Sequence, residues 1–256
     1  MAFDIQNHIL IKYIPESDIS EITIPEGVTT IGECAFYGCK NIRKVILPES
    51  VVSIRKCAFW NCHYLESILL PESLTFIGTM ALHCCYSLKE LTIPEALTTI
   101  EPLAFGNWLN MITLTFIRNH RKIKITLHNP WNSYADENQL AYFIESPCFK
   151  NFSALKPKFK IPLAVGYYET DEQISAYLKR GIKKAVTFAI DAGDCELLAD
   201  LLQTGFITKN NIDFMIQHAI EDTQEYGNPE AQVMLTNYKH KHFTSDISEI
   251  SRKFRL

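Results

Sequence analysis

Residues 24–46 read IPEGVTTIGECAFYGCKNIRKVI, and residues 47–69 repeat the same pattern as LPESVVSIRKCAFWNCHYLESIL. Several columns of residues keep this spacing along the first half of the chain. They include Pro25, Pro48, Pro71 and Pro94; Val28, Val51, Leu74 and Leu97; Ile31, Ile54, Ile77 and Ile100; and Ala35, Ala58, Ala81 and Ala104. A strict period of this length predicts a solenoid, in which similar units stack and share one core.

The first part of each unit predicts a β-strand. Within residues 42–47, Val45 and Leu47 are expected to point into the core. Lys44 and Ile46 alternate with them and are expected to face outward, because successive side chains of a strand point to opposite faces. The proline that follows ends the strand, since it has no N–H to continue the ladder. Stacked units therefore predict a parallel strand ladder in a short right-handed coil, which is an α/β repeat solenoid.

The unit Ile-Pro-Glu-x-Val-x-x-Ile followed by Ala-Phe-x-x-Cys resembles the bacterial surface antigen A type of leucine-rich repeat. Four such units cover residues 24–115. Residues 3–13 also resemble the capping hairpin of that family, with Asn7-His8 in place of the usual Asn-Gly turn. The resemblance implies the leucine-rich repeat fold. It implies no single function, because similar repeats occur in adhesins and in proteins with no known role.

The 23-residue pattern ends after a fifth strand at residues 112–116. Residues 123–127 predict a closing strand, and the basic residues between the two strands are interpreted as a solvated turn. Those residues are Arg118, His120, Arg121 and Lys122. A loop is expected at residues 129–132, and a helix is expected to start at residues 136–138 and to run through residue 143.

The pattern beyond Pro162 is helical. Ile174, Tyr177 and Leu178 share one helix face, and residues 185–190 are assigned to the next helix. Residues 189–205 resemble the helix-turn-helix of an ankyrin repeat, with Gly193 in the tight turn and Gly205 after the second helix. A second pair of helices is expected at residues 211–220 and 230–238.

These patterns predict four segments. They are a capping hairpin at residues 1–23, the solenoid and closing strands at residues 24–128, a helical ankyrin-like domain at residues 129–243, and a tail at residues 244–256.

Three cysteines recur with the repeat period, at Cys39, Cys62 and Cys85, as do Cys34 and Cys57. Because apolar residues continue these columns, the cysteines are interpreted as core side chains and not as metal ligands. Neighbouring repeats lie about 4.8 Å apart, a separation that a disulfide tolerates, so the redox state of the compartment decides between thiol and disulfide.

Composition narrows the function classes. The net charge of −4 gives no broad positive field to gather nucleic acid or anionic lipid. No run of about 20 apolar residues suits a membrane span. Residues 1–5 lack the features of a secretory signal, so a cytoplasmic protein is expected; a signal removed from the sequence would make it secreted or cell-surface instead. Without catalytic or phosphate-binding motifs, neither an enzyme nor a cofactor is expected.

A non-catalytic protein-binding or scaffold module is the predicted function, with an adhesin-like surface protein as the alternative and an enzyme a distant third. One candidate surface is the outward strand face around Ile46 and Leu69, with Lys44 and Thr92 at its rim. The alternative to partner binding is that these side chains only pack against each other across neighbouring strands.

The other candidate surface is the aromatic column that contains Tyr37 and Trp60. The alternative is that these rings only form a hydrophobic layer over the coil. The column Glu26, Glu49, Glu72 and Glu95 suggests a calcium or basic-partner site, against ordinary solvated carboxylates.

Overall fold

The computed structural model describes residues 2–15, 19–105, 112–118, 121–127, 140, 143–144, 147, 149–227 and 229–243. The chain forms two compact units, Met1–Tyr167 and Tyr168–Leu256. The predicted loop at residues 129–132, the predicted helix start at residues 136–138 and the predicted tail at residues 244–256 lie outside the described residues.

Short strands dominate the described part of the first unit. They are β1 (Ala2–Gln6), β2 (Ile9–Ile14), β3 (Glu21–Thr23), β4 (Thr30–Ile31), β5 (Lys44–Ile46), β6 (Ser53–Ile54), β7 (Ser67–Leu69), β8 (Phe76–Ile77), β9 (Glu90–Ile93), β10 (Thr99–Ile100), β11 (Ile112–Arg118) and β12 (Arg121–Leu127). Two helices follow in the same unit, α1 (Phe149–Ala154) and α2 (Pro157–Tyr167). The predicted helical segment starts at residue 129, whereas these two helices belong to the compact unit that contains the solenoid.

Each repeat contributes one strand to each of two ladders. The predicted strands pair in parallel as β3-β5-β7 and as β9-β11, and β12 adds to β11 in antiparallel orientation. A second ladder has the order β1-β2-β4-β6-β8-β10. Its four repeat strands, β4, β6, β8 and β10, have only two residues each. This second ladder was not predicted from the sequence, because a strand of two residues is too short to show an alternating pattern.

The N-terminal hairpin adds to the end of the second ladder. Strand β1 pairs with β2 in antiparallel orientation, and β2 pairs in parallel with β4. Asn7 and His8 form the turn with φ of 49° and 65°. Both values are left-handed, as a two-residue hairpin turn with the twist of its strands requires.

The repeat columns form a continuous core between the ladders. The rings of Phe36 and Phe59 stack with centroids 4.8 Å apart, and Tyr13 of the hairpin stacks on Phe36 at 5.2 Å. Val45 and Leu47 are buried, as predicted from strand alternation. The apolar columns therefore unite the hairpin and the repeats in one hydrophobic core.

The basic turn was interpreted incorrectly at Arg118. This residue ends β11 and is 8% exposed, so it lies in the interior and not in a solvated turn. Its guanidinium donates to the carbonyl oxygens of Pro94 at 3.1 Å and Leu97 at 3.4 Å, and to the hydroxyl of Tyr167 at 2.7 Å. Burial raises the pKa of Tyr167, although the adjacent Arg118 acts in the opposite direction. Arg118 therefore joins the closing hairpin to the preceding repeat and to the end of α2.

Helix α2 packs on β12 of the closing hairpin. Gly166 lies so close to the sheet that a Cβ atom there would stand 1.9 Å from Cδ1 of Ile123. The side chain of Ile123 is itself buried. The helix consequently covers the last strand of the solenoid, which has no further repeat beyond it.

The second unit contains four described helices: α3 (Glu172–Asp191), α4 (Cys195–Gln203), α5 (Ile212–Tyr226) and α6 (Glu230–Phe243). Helix α3 packs on α4 and α5, and α6 packs on both α4 and α5. The division of α3 into two helices was wrong. Its buried positions, from Ile174 to Ile190, continue at helical spacing across the expected break, so one apolar face runs its whole length.

The turns of the second unit follow the glycine prediction. Gly193 and Gly205 have φ of 62° and 72°, which is the left-handed conformation that glycine adopts without strain. Asp194 is the N-cap of α4, and its side chain accepts a hydrogen bond from the backbone N–H of Leu197 at 2.9 Å. The helix-turn-helix geometry is thus present, while its kinship to ankyrin repeats stays a prediction. No described helix has both the length and the hydropathy that crossing a bilayer requires.

Candidate binding surfaces of the solenoid

The first ladder is the one formed by β3, β5 and β7 and continued by β9. Its outward-facing positions bring three of the predicted site residues together. In the parallel register of β5 and β7, Ile46 lies opposite Leu69, and Lys44 lies opposite Ser67. Thr92 has the equivalent position on β9 and is exposed. We call Lys44, Ile46, Leu69 and Thr92 the strand-face patch.

Leu69 is the most distinctive side chain of the strand-face patch. It is 51% exposed, although Ile68 beside it in the same strand is buried in the core. Ile46 is half-buried against it. Cross-strand contact between Ile46 and Leu69 therefore covers part of the apolar surface and leaves about half of the leucine in water.

Charged pairs border the strand-face patch on the N-terminal side. Lys44 Nζ lies 3.5 Å from a carboxylate oxygen of Glu21, and Arg43 forms an ion pair with Glu66. These groups are largely exposed, so the pairs contribute little to stability. An apolar centre with a charged rim is the usual composition of a small protein-binding site.

The predicted aromatic column is exposed at one end and buried at the other. The rings of Tyr37 and Trp60 meet edge to face with centroids 5.2 Å apart, and Trp60 and His83 meet at 6.5 Å. Tyr37 is 51% exposed and Trp60 is half-buried, while His83 is buried and its Nδ1 has no hydrogen-bond partner among the described residues. Burial lowers the pKa of His83. Within this column, the most exposed aromatic side chain is thus Tyr37.

The glutamate column is solvated along its length. Glu26, Glu49, Glu72 and Glu95 are all exposed. Within the described part of the chain, no group of three or more His, Cys, Asp or Glu side chains is placed to hold a metal ion.

The described cysteines of the repeat columns are buried, with the exception of Cys34. Cys62 Sγ donates to the carbonyl oxygen of Phe36 at 3.1 Å, and Cys85 Sγ donates to that of Phe59 at 3.4 Å. These thiols lie in the core, as interpreted from the sequence. Cys34 is exposed, which corrects that interpretation for the first member of the other column. Cys57 has the same left-handed backbone and is buried, so the exposure of Cys34 comes from its place in the first repeat.

A groove of about 510 Å³ on the second ladder was missed in the sequence. Its lining includes Ile11, Gly32, Arg55, Phe76 and Glu101. The signal that could have indicated it is the repeat column Gly32, Arg55, Gly78 and Glu101, in which glycine alternates with a charged residue.

Comparison with known proteins identifies the repeats. Residues 12–129 match the family described as BspA type leucine rich repeat region, in 6 copies. Residues 12–129 belong to the BspA-type leucine-rich repeat family. The predicted leucine-rich repeats of this solenoid are therefore confirmed, while the match does not extend to the helices of the second unit.

Solved structures similar to the BspA-type solenoid come from bacteria. A leucine rich cell surface protein from Faecalibacterium prausnitzii is 37% identical over 38% of this chain and 26% of its own, with a TM-score of 0.37. A leucine-rich repeat protein from Bacteroides capillosus is 32% identical over 44% of this chain and 91% of its own, with a TM-score of 0.38. A third, from Bacteroides ovatus, is 44% identical over 34% of this chain and 23% of its own, with a TM-score of 0.33.

The chain thus spans about a quarter of the length of the Faecalibacterium prausnitzii and Bacteroides ovatus proteins. No curated protein matches it in sequence. The comparisons give no support to the predicted cytoplasmic location.

Proposed function

We propose that the BspA-type solenoid is a protein-binding or scaffold module and that the strand-face patch is where a protein or peptide partner binds. The observation that carries this proposal is the half-exposed Leu69, an aliphatic side chain that the core does not use. It lies in direct register with Ile46 on a ladder whose backbone is fixed by parallel pairing. A rigid apolar centre of this kind loses little conformational entropy when a partner covers it.

Introduction of positive charge at the centre of the strand-face patch tests the proposal. The double variant Ile46→Lys, Leu69→Lys is expected to keep the fold, since both residues point outward, and to lose partner binding at least tenfold, because two unpaired ammonium groups would enter an apolar contact. Binding is measured by pull-down with the full chain as bait, and folding by circular dichroism.

A matched control places two lysines at exposed aliphatic positions of the other ladder, at the end of β2 and directly before β6. Ile14 and Val52 are 50% and 42% exposed, and Ile14→Lys, Val52→Lys adds the same charge outside the strand-face patch. The control is expected to bind as the wild type does. Equal binding by all three proteins would show that the partner contacts another surface.

The Tyr37 end of the aromatic column is the second candidate surface. Its supporting observation is that Tyr37 is as exposed as Leu69 while its ring is held against Trp60. A rigid aromatic side chain is an efficient interface anchor. If the lysine variant folds and keeps its partner, Tyr37→Ala is the next variant to measure.

The location of the protein inside or outside the cell distinguishes the two kinds of binding protein that the sequence predicts. A scaffold inside the cell and an adhesin-like protein outside it would use the same solenoid, so binding data alone do not distinguish them. Fractionation of the source cells with an antibody against the chain separates the two proposals.

A further inference from the structure

Cys34 and Cys57 occupy the same position in consecutive repeats. Both have left-handed backbone conformations, with φ of 55° and 56°, so their side chains leave the backbone in the same direction. The backbone of the two repeats is joined beside them, since the Cys34 N–H donates to the carbonyl of Lys56 at 3.2 Å. Backbone pairing of this kind holds consecutive repeats about 4.8 Å apart, within the range of Cα separations that a disulfide spans.

The Cys34 side chain is also near enough to Cys57 to contribute to the raised pKa of the Cys57 thiol. Cys57 is buried, and its pKa is raised by burial first and by the nearby Cys34 next. Cys34 is exposed and lines a groove of about 790 Å³ together with Lys12 and Tyr37. The Cys34 thiol is therefore accessible to reagents in water, whereas the Cys57 thiol is buried.

We infer that Cys34 and Cys57 form a redox-active dithiol, which a low-molecular-weight disulfide converts into a disulfide between the first two repeats. This site is independent of the proposed binding function.

The reaction with a low-molecular-weight disulfide is two successive thiol–disulfide exchanges. The Cys34 thiolate attacks one sulfur of the reagent, which forms a mixed disulfide and releases one small thiolate. The Cys57 thiolate then attacks Sγ of Cys34, which forms the protein disulfide and releases the second small thiolate. The protein loses two electrons and two protons, and the reagent takes them up as two thiols.

The neighbouring column provides an internal contrast. Cys39 and Cys62 are also one repeat apart, and each thiol shifts the pKa of the other. Both are buried in the core, and Cys62 in addition donates to the carbonyl of Phe36. Access alone therefore predicts that the Cys34–Cys57 pair is oxidised first.

The test is oxidation of the folded full chain with glutathione disulfide, followed by acid quenching, alkylation and thiol counting in denaturant. The fully reduced protein has eight cysteines. The titre is expected to fall by two without stable addition of glutathione. Chymotrypsin then locates the bond: cleavage after Phe36 separates Cys34 from Cys39, and cleavage after Phe59 separates Cys57 from the next cysteine.

Two variants accompany the experiment. Cys34→Ser changes an exposed side chain, so it is expected to keep the fold and to prevent the loss of two thiols. The matched control Cys195→Ser changes a thiol of the second unit and is expected to lose two thiols as the wild type does. The inference is overturned if Cys34 remains as a mixed disulfide with glutathione, if Cys39 and Cys62 are linked first, or if no thiol is lost.

Discussion

Replacing Arg118 by Ala is expected to lower the free energy of unfolding of the first unit by about 3 kcal/mol. The guanidinium donates to Pro94, Leu97 and Tyr167 at 2.7–3.4 Å, and the residue is buried. Without it, two carbonyl oxygens and a hydroxyl would be left in the interior with fewer partners, and a cavity would form between the closing hairpin and α2.

Tryptophan fluorescence during guanidinium unfolding measures this effect selectively, because every tryptophan of the sequence comes before residue 168, where the second unit begins. The matched control is Arg43→Ala, which removes an exposed arginine and is expected to change stability by at most about 0.5 kcal/mol. Equal stability of the two variants would show that Arg118 does not fasten the end of the solenoid.

Replacing Gly78 by Ala is expected to destabilise the first unit by about 2 kcal/mol, although alanine is only one methyl larger. A Cβ atom at this position would lie 2.6 Å from the backbone nitrogen of Lys56 and 2.9 Å from the carbonyl carbon of Arg55. Both are backbone atoms of the neighbouring repeat, so no side-chain rotation relieves the clash. Tryptophan fluorescence again gives the stability.

Gly181 provides the control with the opposite sign. It lies inside α3, where a Cβ atom would meet nothing within 4 Å. Gly181→Ala should stabilise the second unit by about 0.5–1 kcal/mol, because alanine restricts the unfolded chain and favours the helix. Thermal unfolding followed by circular dichroism measures the change. A Gly78→Ala variant as stable as the wild type would mean that the repeats are less closely stacked at this position.

Repetition made much of the solenoid predictable. Alternation at Val45 and Leu47 appears in every repeat, so four copies reinforce one weak local signal. The turn glycines Gly193 and Gly205 were predictable for a different reason, since few other residues adopt a left-handed backbone without strain. The outward positions of Ile46 and Leu69 followed from the same alternation.

The unpredicted features depend on contacts between distant parts of the sequence. Arg118 looks like part of a basic turn until Tyr167, far along the chain, is brought beside it. The exposure of Cys34 depends on its place at the end of the coil, which the repeat column does not encode. The repeat strands of the second ladder, β4, β6, β8 and β10, could not be predicted because they have two residues each. Local patterns report secondary structure, whereas these features come from tertiary contacts.

Site-specific photo-crosslinking tests the central claim, that a partner binds the strand-face patch, most directly. A benzophenone amino acid placed at Leu69 would lie in the proposed contact, and the same group at the exposed Val52 would lie beside the other ladder. Each labelled chain is irradiated with its co-purified partner and the linked product is mapped by mass spectrometry. Cross-linking is expected from position 69 and not from position 52. A partner that co-purifies with both chains and cross-links only from position 52 would contradict the central claim.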